Sequence, residues 1–125
     1  MGPINLPEVV AEIAAILERY EQALVGNHLD VLDELFWDAA QTVRFGAGET
    51  LYGMDEIRDF RTRRPSAGLA RTVTKTQITT FGLDFAVAHC EFTRPTNPKP
   101  GRQTQTWVRM ATGWKVVSAH VSQQL

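Results

Sequence analysis

Tyr20 is the first side chain in this 125-residue chain with a chemical use beyond packing. It falls on the apolar face of a helical pattern, so its ring points inward while its hydroxyl needs a partner. Two roles stay open: a core tyrosine bonded to a strand carbonyl, or a phenol donating to a substrate carbonyl or leaving nitrogen. The second candidate group is arginine. Ten of the 13 basic residues are Arg, the side chain suited to two-pronged recognition of carboxylates. Arg44 lies between Val43 and Phe45 in a strand pattern. Alternation places it opposite those apolar residues and so toward solvent or an interface, unless a bulge beside Gly46 turns it inward. Arg61 and Arg64 follow Ile57 and Phe60 by four residues on a helix, so their stems run along its buried face. Arg63 suits the solvated end of that helix.

Two further candidates lie near the end of the chain. The run Arg102-Gln103-Thr104-Gln105-Thr106-Trp107 is polar on both faces of a strand, which suits a ligand cavity or a subunit interface. Gln103 and Gln105 share one face with Trp107. His120 shares a face with Trp114, Val116, Ser118 and Ser122, and reads either as a hydrogen-bonded structural histidine or as a base. Other chemistries find no support. Three scattered histidines (His28, His89, His120) make no metal motif, there is no glycine-rich phosphate loop, and no serine sits in a nucleophile elbow. Cys90 alternates with Ala86, Ala88 and Phe92, as a buried apolar thiol does. No metal and no cofactor are expected.

Charge sharpens the arginine reading. The net charge is −1, which excludes a nucleic-acid binder driven by bulk positive charge. Residues 1–59 carry 12 acids and 3 bases, a balance of −9; residues 60–125 carry 2 acids and 10 bases, a balance of +8. Acidic helices over a basic sheet, or an Arg-lined cavity for a small anion, both fit that split. One cysteine rules out a disulfide framework. No apolar run reaches the roughly 20 residues of a membrane span, and the first residues lack the basic flank and apolar core of a signal peptide, so a cytoplasmic location is expected.

These side chains must be positioned by the following elements. Apolar residues Val9, Ile13, Ile16, Leu17, Tyr20 and Leu24 predict a helix over Leu6–Asn27, started by Asn5 and Pro7. A short helix from about His28 to Trp37 follows, then a strand over Gln41–Phe45, a Gly46-Ala47-Gly48 turn and a return strand over Glu49–Tyr52. A third helix runs from near Met54 to about Arg64. The remainder reads as strands at Arg71–Phe81, Phe85–Arg94, Gln103–Met110 and Trp114–Ser122. Three prolines make 95–101 a loop. Helices first and strands last imply one segregated α+β domain over 1–125, a strongly curved, mostly antiparallel sheet wrapping three helices into a cone. Its natural cavity lies between the first helix and the concave sheet face.

The order Leu17-Glu18-Arg19-Tyr20, Asn27, Leu35-Phe36, a strand, Tyr52-Gly53 and a short helix resembles the nuclear-transport-factor-2-like (NTF2-like, SnoaL-like) superfamily. That resemblance implies the cone and a homodimer through the outer sheet face. Ketosteroid isomerases in this superfamily also carry a first-helix tyrosine, but their two acids fall at Phe45 and Thr106 here, and the acid–arginine–acid set of limonene-epoxide hydrolases is not evident. Thr42-Val43-Arg44-Phe45-Gly46, Glu49-Thr50-Leu51-Tyr52-Gly53, Phe60-Arg61, Thr79-Thr80-Phe81-Gly82, Gly101-Arg102-Gln103-Thr104-Gln105-Thr106-Trp107 and Ala119-His120-Val121-Ser122 are similar to the AtzH-like (DUF3225) family. The resemblance implies a role beside amidases in cyanuric acid or oxalurate breakdown, converting 1,3-dicarboxyurea to allophanate. It implies a catalytic pair at Tyr20 and Arg44. Arg61, Arg64, Arg102 and His120 are then candidates for the far carboxylate of a small anionic substrate. A non-catalytic anion-binding or amidase-associated module is the alternative.

Overall fold

The computed structural model describes residues 2–125. Helix α1 spans Pro7–Val25 and buries Val9, Ile13, Tyr20, Ala23 and Leu24, the stripe that its 3.6-residue period predicts. Asn5 does not cap it. Its backbone is left-handed (φ 59°), and its Oδ1 accepts a hydrogen bond from the Thr80 N–H at 2.8 Å, pinning the start of the chain to the sheet. The helix ends at Gly26, and Asn27 takes φ 54° to turn the chain. Helix α2 covers Leu29–Leu35, a little shorter than expected because Phe36 leaves it to bridge Val116 in the sheet. Helix α3 is Met54–Arg63, preceded by Gly53 at φ 87°, a conformation glycine adopts without strain.

Six strands form one sheet: β1 Val43–Phe45, β2 Thr50–Tyr52, β3 Thr72–Phe81, β4 Phe85–Arg94, β5 Asn97–Met110 and β6 Gly113–Gln123. Their order is β2-β1-β6-β5-β4-β3. Only β1 and β6 pair in parallel; the other neighbours are antiparallel. The three helices fill the concave side, and the core gathers Ile13, Leu32, Phe36, Ile57, Trp107 and Val116 between them and the inner sheet face.

Two expectations are corrected. Residues 97–101 are strand, not loop: β5 begins at Asn97, and Arg94 pairs with Asn97 across a two-residue turn. Pro98 and Pro100 are tolerated because β6 pairs with β5 only from Gly101 onward, and the β4 register is broken between Phe92 and Arg94. Prolines there displace no ladder donor. The faces of β6 also differ from strict alternation. A bulge at Val117 lies between the Trp107–Val116 and Thr106–Ser118 pairs. Beyond it the inward residue is Ala119, and His120 is turned out and exposed.

Candidate functional site

The site is built on a single row of side chains that crosses the whole inner face of the sheet. Cross-strand pairing aligns Leu51 (β2), Arg44 (β1), Ala119 (β6), Gln105 (β5), Ala88 (β4) and Ile78 (β3). Every member but Ile78 is buried, and Ile78 is half-buried. Arg44 therefore points into the cone, with 7% of its surface exposed. No bulge is needed. The alternation argument misleads because the outer face carries the apolar partners: Phe45 packs edge-on against both Tyr52 and His120, with ring centroids 5.7 Å apart in each pair. Polar-in, apolar-out is the reverse of an ordinary half-buried strand.

Around Arg44 the helices supply two more arginines. Arg61, on the inner face of α3, is 2% exposed, and its guanidinium lies 4.2 Å from the centre of the Phe36 ring. Tyr20, 4% exposed, stacks on the same Phe36 ring at a centroid distance of 6.4 Å. Arg44 and Arg64 both lie 5.6 Å from the Phe60 ring. So Phe36 ties Tyr20 to Arg61, and Phe60 ties Arg44 to Arg64. Three guanidinium groups and one phenol meet at two aromatic rings.

Their counter-charges are few. Arg44 Nη1 donates to Glu49 Oε1 at 2.7 Å, a contact that relies on Gly46. A Cβ at that position would stand 1.8 Å from Glu49 Oε1, so any side chain there displaces the carboxylate. Arg61 Nη1 reaches Asp33 Oδ1 at 3.3 Å, and Asp33 is shared with Arg58 at 3.6 Å. Arg61 Nη2, Arg64 Nε and Arg64 Nη2 are buried without a partner. Burial pulls the Arg61 guanidinium down to about 10, with the neighbouring charges of Arg44 and Arg64 acting in the same direction. Arg64 is lowered for the same first reason, burial, and then by Arg44. A buried cluster of like charges with spare donors has the chemistry that an anion would complement.

Arg102 and His120 are not part of it. Both are exposed on the outer sheet face, where they flank Thr104 and Ser122 along a shallow groove. Arg63 pairs with Asp59 at 2.9 Å on the exposed side of α3. One functional-looking residue escaped the sequence reading. Arg71 is 9% exposed; its Nε and Nη2 donate to Glu21 at 2.7 and 2.8 Å, and Nη2 also reaches Gln103 Oε1 at 3.1 Å. Burial, the largest single influence, acts to lower this guanidinium, but the Glu21 hydrogen bonds together with the nearby Tyr20, Glu21 and Cys90 groups outweigh it and the net shift is upward. Its position next to Glu21 depends on a contact across 50 residues of chain, which no local pattern reports. Among the described residues no group of three His, Cys, Asp or Glu side chains gathers as a metal site would require. Among the described residues no helix is long and apolar enough to cross a membrane.

A three-helix, six-strand cone with polar groups on its concave face defines a small-molecule-binding module of the NTF2-like type. The chain belongs to the AtzH-like family, whose model matches residues 2–125. Among solved structures it is similar to a DUF3225-family protein of unknown function from Pectobacterium atrosepticum, at 56% identity and a TM-score of 0.95, over 98% of this chain and 95% of that one. A cystatin-like fold protein from Burkholderia xenovorans is 43% identical, with a TM-score of 0.93 over 97% and 95% of the two chains. An NTF2-like protein of unknown function from Pseudomonas putida shares the fold at 19% identity, TM-score 0.76, over 90% and 84%. No functionally curated protein matches the chain.

Proposed function

We propose that the protein is a decarboxylating hydrolase of a small carboxylated urea, of the 1,3-dicarboxyurea to allophanate type, with Tyr20 and Arg44 as the catalytic pair. The observation that carries this reading is the set of three buried guanidinium nitrogens without partners beside a buried tyrosine. A urea bearing two N-carboxylates is a small dianion. Arg44, Arg61 and Arg64 offer it charge and direct hydrogen bonds in a dry setting, where both are strong.

The chemistry needs little else. Tyr20 delivers its proton to the carboxylated nitrogen; the C–N bond then breaks, its electron pair stays on nitrogen, and carbon dioxide leaves. The negative charge left on Tyr20 lies in the fields of Arg61 and Arg71, and water returns the proton. No protein nucleophile takes part. Arg44 holds the reacting carboxylate, while Arg61 and Arg64 receive the far one. Cytoplasmic action, a dimer through the outer sheet face and a working association with an amidase belong to the same proposal; the apolar Phe45–Tyr52–His120 patch supports the second.

The test is turnover of 1,3-dicarboxyurea, read as carbon dioxide released above the uncatalysed rate. Tyr20→Phe should lower kcat about 100-fold or more, the range of a lost general acid. Arg44→Ala should lower kcat/KM by a similar factor, with both variants folded by circular dichroism. Full rates in both variants overturn the assignment. Saturable binding of a dicarboxylate with no product above background would instead make the protein a non-catalytic anion-binding module.

A further inference from the structure

We propose that the cleft between α1 and strands β3–β5 is a second binding site, for an uncharged molecule with a carboxamide head on a flat apolar body. The cleft has a volume of about 520 Å³. Its helical wall is Val10, Ala14, Leu17 and Glu21, spaced at four, seven and eleven residues along one face of α1. That face differs from the stripe of Val9, Ile13, Tyr20 and Leu24 buried in the core, so α1 has a second face, of which Leu17 packs partly against the core while Ala14 stays exposed.

The floor is Gln105, only 1% exposed, with both its Oε1 and its Nε2 unpartnered. The reason lies in its neighbours. Its cross-strand partners on the same face are Ala88 and Ala119, too short to cover or bond the amide. Gln103, two residues along, has its oxygen engaged by Arg71. An amide with one donor group and one acceptor side by side is matched by another planar amide, which completes both bonds at once. Leaving both ends of a buried carboxamide unmade is expensive, so the side chain is held ready at a cost to stability.

Charge selects against anions here. Among the described residues the lining includes the carboxylates of Glu18 and Glu21 and no lysine or arginine. Arg71, close by, already spends its Nε and Nη2 donors on Glu21 and Gln103. The cleft therefore discriminates in the opposite sense to the Arg44–Arg61–Arg64 cluster. The proposal does not rest on the carboxylated-urea reading.

Benzamide is the probe, titrated into the full chain by calorimetry or by chemical-shift changes, with benzoate as the charged control. Benzamide should saturate with a dissociation constant of about 1 mM, in the range a nine-atom ligand reaches, and benzoate should bind at least about tenfold more weakly. Gln105→Leu should weaken benzamide at least about tenfold while unfolding at an equal or higher temperature, since it removes an unsatisfied buried amide. Ala14→Trp, on the exposed rim of the cleft, should block the probe sterically. Arg44→Ala should leave benzamide affinity within about twofold, which separates this site from the guanidinium cluster. Absence of saturable binding, equal affinity for benzoate, unchanged affinity in Gln105→Leu, or loss of the probe in Arg44→Ala each overturns the proposal.

Discussion

Arg61 and Arg71 are two buried arginines at comparable distances over aromatic rings, 4.2 Å from Phe36 and 4.3 Å from Phe92. They part company in their partners. Arg71 makes a bidentate pair with Glu21 and a third bond to Gln103, and its guanidinium is raised. Arg61 has one long contact to an aspartate shared with Arg58, an empty Nη2, and a guanidinium lowered to about 10 by burial. The first arrangement is closed and holds the fold together. The second is open, with buried guanidinium donors that no protein group accepts. Burial alone does not tell a structural arginine from a receiving one; the hydrogen-bond account does.

The largest effect that tests this contrast is on stability. Arg71→Ala should lower the unfolding free energy by about 3 kcal/mol, because it strands Glu21 and Gln103 and removes the closer of the two guanidinium groups over Phe92. Urea denaturation measures it, and a loss below about 1 kcal/mol would erase the distinction. Arg61→Leu should go the other way. Asp33 is partly exposed and keeps Arg58, so stability should stay level or rise by up to about 2 kcal/mol. Turnover, by contrast, should fall by at least about tenfold. A loss beyond about 2 kcal/mol would make Arg61 structural.

The smallest effect concerns pH. Malonate, as a stand-in dianion at ten times its dissociation constant, should stabilise the protein by about 1.4 kcal/mol. The Arg61 guanidinium is lowered in the folded protein to about 10, whereas the unfolded chain keeps the ordinary arginine value. The unfavourable burial of its charge is thus fully present below pH 10 and is relieved above it. Malonate needs that charge. Its stabilisation, taken as the difference between wild type and Arg61→Leu, should be flat from pH 6 to 9 and decline through about pH 10. A decline centred near pH 7 would point to a histidine and away from Arg61.

How much of this was legible beforehand follows from the range of the forces involved. Helix α1 and the strands, apart from the start of β5, are written in local periodicity, and their order implies a segregated α+β domain. Tyr20 could be placed on a buried face for the same reason. Arg44 could not be aimed, since a three-residue strand flanked by Val43 and Phe45 gives no sign of which face is core until its neighbour Ala119 is known. Arg102 and His120 were candidates for the far carboxylate of the substrate that the family resemblance implies, yet each sits one pleat away from Gln103 or Ala119, on the other face. For His120 a single extra residue at Val117 decides the matter. The Glu21–Arg71 pair, and the spare amide of Gln105, exist only once distant strands meet.

The parallel pairing of β1 with β6 carries a consequence for assembly. Residues 43–45 have no strand neighbour on that side without residues 118–120, so the inward aim of Arg44 depends on a pairing between distant parts of the chain. A nascent or truncated chain lacking β6 would hold the helices and Tyr20 but leave the arginine undirected. The proposed anion site and the completed sheet therefore depend on one pairing, and loss of the β1–β6 contact would remove both together.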